Sequence, residues 1–175
     1  SPAGIARLYG SSVPAILTAN PGIVPENLTV GQSLTVPLPF AVVPTDISFF
    51  SALVGYCVRG LSARYPFLGV DEAGRSVLGR PLWSLRFGAG ENRVLYNAAH
   101  HANEWICTPL LLKFMEELCD AYAAQGLIYG QSAAELWDYA SLFMVPAVNP
   151  DGMDLCTGEL QSGPWYQRAL NFAQQ

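Results

Sequence analysis

The chain contains only two histidines, His100 and His101, and they stand side by side in "NAAHHANEWICTP", residues 97–109. Glu104 follows His101 by three positions. An imidazole nitrogen and a carboxylate oxygen are both common zinc ligands, and a spacing of three on a turn lets both side chains enter one crevice. His100 is one residue upstream, so extended geometry would turn it to the opposite face. His101 and Glu104 are therefore the candidate metal ligands, and His100 is expected in the core or behind the ligands as a support. As bare spacing, H-x-x-E also fits a histidine–glutamate hydrogen bond near a helix start, and the spacing does not separate the two.

The surrounding segments must position this pair. "RVLYNAA", residues 93–99, is apolar almost throughout and reads as a strand buried on both faces. "TPLLLKFMEELCDAYAAQG" reads as a helix with Thr108 as cap, Pro109 in the first helical position and Gly126 just past the end. Leu111, Met115, Leu118, Cys119 and Tyr122 form its apolar stripe. The candidate ligands thus lie just past the carboxyl end of a strand, where ligand sites gather in open α/β sheets. Upstream, "ISFFSALVGYCVRGLSARYP" reads as a helix capped by Asp46 and ended by Pro66. Residues 68–99 then read as three short strands punctuated by glycines. Downstream, "SAAELWDYA" is a helix and "SLFMVPAVNPDG" a second buried strand ending in a turn. Strand, helix, strand in this order predicts an α/β sheet with a parallel pair.

Residues 1–38 form a separate compositional block. Ile5, Leu8 and Tyr9 have helical spacing before Gly10. Ser12 can cap a second short helix with Pro14 in its first turn, and Asn20-Pro21-Gly22 ends it. "LTVGQSLTVP" reads as a short strand. "IARLYG", "ILTANPGI" and "LTVGQSLTVP", in that order, resemble the LysM peptidoglycan-binding module. A LysM module opens with a strand and a Gly-Asp turn, which this sequence lacks. The resemblance implies glycan contact through Asn20, Pro21, Gly22 and Ile23; a helical hairpin that merely packs on the larger block is the alternative. Residues 39–46, with Pro39 and Pro44, read as an extended linker, and residues 47–175 as the second domain.

That second domain resembles the zinc metallocarboxypeptidase superfamily. The resemblance rests on "YNAAHHANEWICTPLLLKF" followed by "MVPAVNPDGMD": an H-x-x-E pair after a buried strand, then Trp105, and an N-P-D-G turn at Asn149, Pro150, Asp151 and Gly152. "HHANEW" is similar to the bacterial branch of gamma-D-glutamyl-L-diamino acid endopeptidases, which often carry LysM modules in front. The implied fold is α/β: a partial metallocarboxypeptidase-like mixed sheet flanked by helices, preceded by a small, incomplete LysM module. The implied activity is zinc-dependent hydrolysis of peptidoglycan stem peptides at the gamma-D-glutamyl-diamino acid bond. The implied place is the bacterial cell wall or outside the cell, with a cytoplasmic or spore-associated site as the other possibility. Cleavage at protein or peptide C-termini, and non-catalytic wall binding, are the alternatives.

The resemblance also implies a third zinc ligand, a histidine further along, and a general-base glutamate beyond it. Neither can be named in this sequence, which has no third histidine. Three readings follow. The chain is the first half of a longer enzyme and inactive alone; it works with a second chain carrying the remainder; or it is a non-catalytic wall-binding protein. In the first two, an apolar face or open strand edge should be exposed, and self-association or a separate C-terminal half is the expected partner.

Composition narrows the classes. Of the 175 residues 51% are hydrophobic and 13% charged, with a net charge of -5. Lys113 is the only lysine and there is no basic run, which argues against nucleic acid as a partner. No apolar run approaches the roughly 18 residues a membrane span needs. Cys57, Cys107, Cys119 and Cys156 match no zinc-knuckle spacing and read as mostly buried thiols.

Overall fold

A computed structural model of the protein describes residues 1–173. The chain opens with two short helices, α1 (Pro2–Tyr9) and α2 (Val13–Thr18). Ser12 caps α2 as expected, its hydroxyl accepting from the Ala15 amide at 3.1 Å. The inward face of α1 differs from expectation. Ala6 is buried while Leu8 and Tyr9 are exposed, because small residues let α1 lie close on its neighbours. Residues 28–37 form no strand. Among the described residues no partner strand lies beside them, and a single strand has nothing to pair with. Asn20 takes the place of a ladder: its Oδ1 accepts from the Thr35 amide at 2.8 Å and its Nδ2 donates to the Thr35 carbonyl at 2.7 Å.

The second block begins with α3 (Ser51–Arg64), continues through β1 (Gly69–Arg75), β2 (Pro81–Phe87) and β3 (Asn92–Asn97), and reaches α4 (Cys107–Ala123). After the small β4–β5 hairpin (Leu127–Ile128 and Gln131–Ser132) come α5 (Ala133–Tyr139), β6 (Ala140–Val145), α6 (Pro150–Thr157) and α7 (Gly163–Ala173). The main sheet has the order β1-β2-β6-β3. β1, β2 and β6 run antiparallel in turn, and β3 pairs parallel with β6, Val94 opposite Leu142 and Asn97 opposite Val145. The mixed sheet and its parallel pair match the sequence reading.

One face of the sheet carries the core. Leu85, Phe87 and Met144 pack with Val58 and Leu61 of α3 and with Leu112, Met115, Leu118 and Cys119 of α4. Phe67, Phe87, Tyr122 and Trp137 close one end as an aromatic cluster, with the Tyr122 and Trp137 rings stacked at 4.5 Å. Gly88 lets the chain pass the sheet here, since a Cβ would come within 2.0 Å of the Ala140 carbonyl oxygen.

β3 is the main departure from expectation. It is an edge strand, and every one of its residues is exposed. Its apolar run is the signature of a doubly covered strand, yet only β6 flanks it among the described residues. Leu95 keeps 61% of its surface. β6, between two neighbours, is the buried strand.

The helix ends also correct the sequence reading. Asp46 is exposed and does not cap α3, which starts at Ser51. Its first amide is instead satisfied across the fold, Ser51 N–H donating to Asp154 Oδ1 at 2.7 Å. Thr108 lies inside α4 and spends its hydroxyl on the Pro146 carbonyl at 2.7 Å. At the other end of α4 the left-handed residue is Gln125, with φ of 53°, not Gly126. The Gln125 and Gly126 amides bond back to Tyr122 and Ala121, which closes the helix. The N-P-D-G motif starts a helix rather than ending a strand: Asn149 Oδ1 accepts from the Gly152 amide at 2.9 Å and Pro150 opens α6.

Candidate metal centre

Backbone pairing between β3 and β6 continues past both strand ends. Ala98 N–H donates to the Val145 carbonyl, Val148 N–H to Ala98, and Asn149 N–H to Ala99. This carries the N-P-D-G segment alongside the segment that delivers the histidines. Ala99 sits at φ 54°, a conformation unusual for a residue with a side chain. The chain turns there, just before His100. A single 3-10 turn, Ala102–Glu104, follows with His101 as its extended first residue, and the Glu104 amide donates to the His101 carbonyl at 3.1 Å.

That turn brings the candidate ligands together. His101 Nδ1 lies 3.1 Å from Glu104 Oε1. Two donors bound to one zinc at about 2.0–2.2 Å with a tetrahedral angle would stand roughly 3.3–3.5 Å apart. The observed separation fits a shared cation with little movement. Both side chains are open to solvent, His101 at 78% and Glu104 at 49%. Among the described residues, no group of three or more His, Cys, Asp or Glu side chains could hold a metal. The residues present therefore fit part of a zinc site.

His100 takes no part in this pair. Its Nε2 meets Asn97 Oδ1 at 2.8 Å. It is exposed rather than a core residue, because it follows the free edge of the sheet.

The turn is backed by two residues of the N-P-D-G motif, whose bracing role the motif did not reveal, and behind them by Arg80, which the sequence did not single out. Asn149 Nδ2 donates to the His100 carbonyl at 3.2 Å. Gly152 lies so close to the turn that a Cβ there would be 2.9 Å from Ala102 Cβ. α6 is held in turn by Arg80. Its Nε bonds Asp154 Oδ2 at 2.7 Å and its Nη1 bonds Asp151 Oδ1 at 2.8 Å. The Ser76 hydroxyl and the Leu78 amide also donate to Asp151, and the Ser51 hydroxyl to Asp154. The signal available in the sequence was the pair of aspartates three apart at the start of a helix. Arg80 gave none, being remote in sequence.

In the N-terminal block, Asn20 has both ends of its amide bonded within the fold, Nδ2 also reaching the Ile16 carbonyl at 2.6 Å. It shapes the 20–23 loop. Pro21 and Gly22 are exposed and Ile23 half-buried.

Comparison with known proteins decides the family. A zinc carboxypeptidase family model matches residues 56–173, well over half of the chain. The chain belongs to the zinc carboxypeptidase family. A LysM domain model matches residues 1–37 in front of the zinc carboxypeptidase region. The chain is 48% identical over 94 residues to the uncharacterized protein YqgT of Bacillus subtilis, a match covering 52% of the chain and 25% of that protein. It is 40% identical over 98 residues to gamma-D-glutamyl-L-diamino acid endopeptidase 1 of Lysinibacillus sphaericus, covering 56% of the chain and 25% of that protein. The chain thus spans about a quarter of the length of these relatives. Among solved structures, bovine thrombin-activatable fibrinolysis inhibitor in complex with tick carboxypeptidase inhibitor aligns over 65% of the chain and 35% of its own. Its TM-score is 0.54 and its identity 21%, a likeness of fold alone. Within this zinc carboxypeptidase chain no helix of the described residues is long and apolar enough to cross a membrane.

Proposed function

We propose that the protein hydrolyses peptidoglycan stem peptides at the gamma-D-glutamyl-diamino acid bond, with His101 Nδ1 and Glu104 Oε1 as two of the protein ligands to a zinc ion. The observation that carries this reading is the 3.1 Å approach of those two atoms on the turn beyond β3. The likeness to the Lysinibacillus endopeptidase supports the choice of bond. Zinc, when bound, supplies a water of lowered pKa and polarises the scissile carbonyl. A catalytic zinc takes three protein ligands, so this pair leaves one to be supplied. Residues 1–38 serve as the wall-binding module, residues 39–46 connect it, and residues 47–175 belong to the peptidase. Within the module, Asn20 holds the loop while Pro21, Gly22 and Ile23 face the glycan. The cell wall or the extracellular space is the place of action, and the spore or cytoplasm the alternative.

The test uses a synthetic L-Ala-gamma-D-Glu-diaminopimelate peptide and a free C-terminal peptide as competing substrates, with the natural full-length protein carrying this sequence. Release of L-Ala-D-Glu, lost in His101→Ala and Glu104→Ala and kept in His100→Ala, is the expected outcome. Release of C-terminal residues from ordinary peptides instead would favour the carboxypeptidase alternative.

The exposed edge supports a further part of the proposal. β3 offers unpaired backbone groups to any strand that reaches it. Val94, Leu95 and Tyr96 are exposed along it by 38%, 61% and 44%. The chain pairs with a second copy through this edge.

A further inference from the structure

We propose that Glu116 is a positioning residue: it locks the segment joining the two blocks onto α4, so that the wall-binding loop and the metal turn are held at one fixed separation. The wall-binding half of this statement rests on the function proposed above; the lock itself does not.

Proline-rich connecting segments ordinarily act as spacers with some freedom. Here residues 40–43 are docked. Val43 is only 1% exposed. The Glu116 side chain is wholly buried on α4. Its carboxylate accepts from the Val42 amide and, at 3.3 Å, from the Val43 amide. Lys113 Nζ reaches it at 3.0 Å and Arg64 Nη1 lies 3.6 Å away. A carboxylate withdrawn from water is tolerated only when paired and hydrogen-bonded. Two of its partners are main-chain amides of the connecting segment, so the burial of Glu116 and the docking of that segment depend on each other. Arg64 grips the same segment a second time, donating to the Phe40 carbonyl at 2.5 Å with its guanidinium 5.1 Å from the Phe40 ring centre. Gly60 leaves no space between, since a Cβ there would lie 2.6 Å from Val42 Cγ1.

α4 then links the two ends. The metal turn leads directly into its N-terminus at Cys107. Near its other end, the Thr18 hydroxyl of α2 donates to the Ala123 carbonyl at 3.3 Å. A helix of 17 residues is roughly 25 Å long at 1.5 Å per residue. The N-terminal block and the metal turn therefore sit at opposite ends of one rigid rod, with Glu116 clamping the connection midway. A glycan held at one end presents only stem peptides at a matching distance to the other.

The experiment is limited proteolysis of the full chain with elastase, which cuts after small aliphatic residues such as Ala41 and Val42 but not at the Val43–Pro44 bond. It is paired with 15N relaxation to read tumbling of residues 1–37 and 47–173 separately. Wild type is expected to resist cleavage at 41–43 and to show one tumbling time. Glu116→Gln is expected to speed that cleavage at least tenfold and to separate the two tumbling times, with the helical circular dichroism retained. Arg64→Ala, which removes the grip on the Phe40 carbonyl and the longer contact to Glu116 while leaving the carboxylate in place, is expected to give a several-fold increase and covers the case in which Glu116→Gln does not fold. Val58→Ala, a core truncation that leaves Glu116 and Arg64 in place, is the control and should leave the native cleavage rate unchanged. Rapid cleavage or two tumbling times in wild type would overturn the proposal. Equal acceleration in Val58→Ala and the clamp variants would also overturn it, by making the effect one of general stability. None of these readouts involves wall binding or hydrolysis, so the lock can fail while the proposed function stands, and the reverse.

Discussion

The Asn149 side-chain amide joins two motifs that lie about fifty residues apart: Nδ2 donates to the His100 carbonyl at 3.2 Å while Oδ1 accepts from the Gly152 amide at 2.9 Å. One side chain thus caps α6 and braces the turn that presents His101. Replacing it with alanine removes an N-cap, worth about 1 kcal/mol, and a hydrogen bond worth about 0.5–1.5 kcal/mol. Asn149→Ala should lower stability by about 1.5–2.5 kcal/mol in urea denaturation. Asn149→Asp keeps the cap and loses only the donor to His100, so it should fall between wild type and alanine. Equal stability of all three would mean that the bond to the turn contributes nothing.

Gly152 is the second brace. A Cβ there would be 2.9 Å from Ala102 Cβ and 2.6 Å from Asn149 Nδ2. Gly152→Ala should cost about 1–3 kcal/mol, the range for overpacking, and shift the amide resonances of residues 100–104. A stability change without movement of those resonances would show that the strain is absorbed elsewhere.

The cysteines give a test in pH. Burial, and then the Glu116 charge, push the Cys57 thiol up from 9.0 to about 11, and burial raises Cys119 well above its ordinary value. Cys156 is exposed. At pH 8 a disulfide reagent should label Cys156 quickly in the native protein, and Cys57 and Cys119 only after unfolding. The folded thiol pKa lies above the unfolded one, so the native state holds the extra proton between them. Stability from this source is complete below about pH 9 and falls as the pH rises toward 11. A flat stability profile from pH 8 to 11 would contradict the burial of Cys57.

The open edge predicts association. Burying even a few hundred Å² of apolar surface, at roughly 25 cal/mol per Å², offers several kcal/mol before the cost of association. Sedimentation should show a dimer in the micromolar range, and Leu95→Lys, a charge placed on the edge, should return it to monomer. A monomer at high concentration in the wild type would contradict pairing through β3.

The sheet, its parallel pair and the main helices were legible because their apolar periodicity depends on local sequence. The two ligand candidates were legible because their types and spacing are local as well. What failed depended on partners remote in the chain. α3 takes its first acceptor from Asp154, so Asp46 was a plausible cap that had no work to do. β3 has the composition of a covered strand but is uncovered on one edge, which no reading of its own six residues could reveal. The strand expected within residues 28–37 met no partner and is pinned by Asn20 instead. Arg80 and Asp154 hold the site from behind through an ion pair that spans the fold, and such a pair leaves no local trace.

In the proposed function His101, not His100, binds zinc together with Glu104. With only two histidines in the chain, each ring gives its own NMR signals, and titration with Zn2+ followed by 15N and 13C imidazole spectra reads the claim directly. The His101 ring is expected to shift with Nδ1 as the metal-bound nitrogen, binding is expected to be weak because the pair falls short of the three protein ligands of a catalytic site, and Glu104→Gln is expected to weaken it further while His100 stays unmoved. A response confined to His100, or no response of either ring at millimolar zinc, would contradict it.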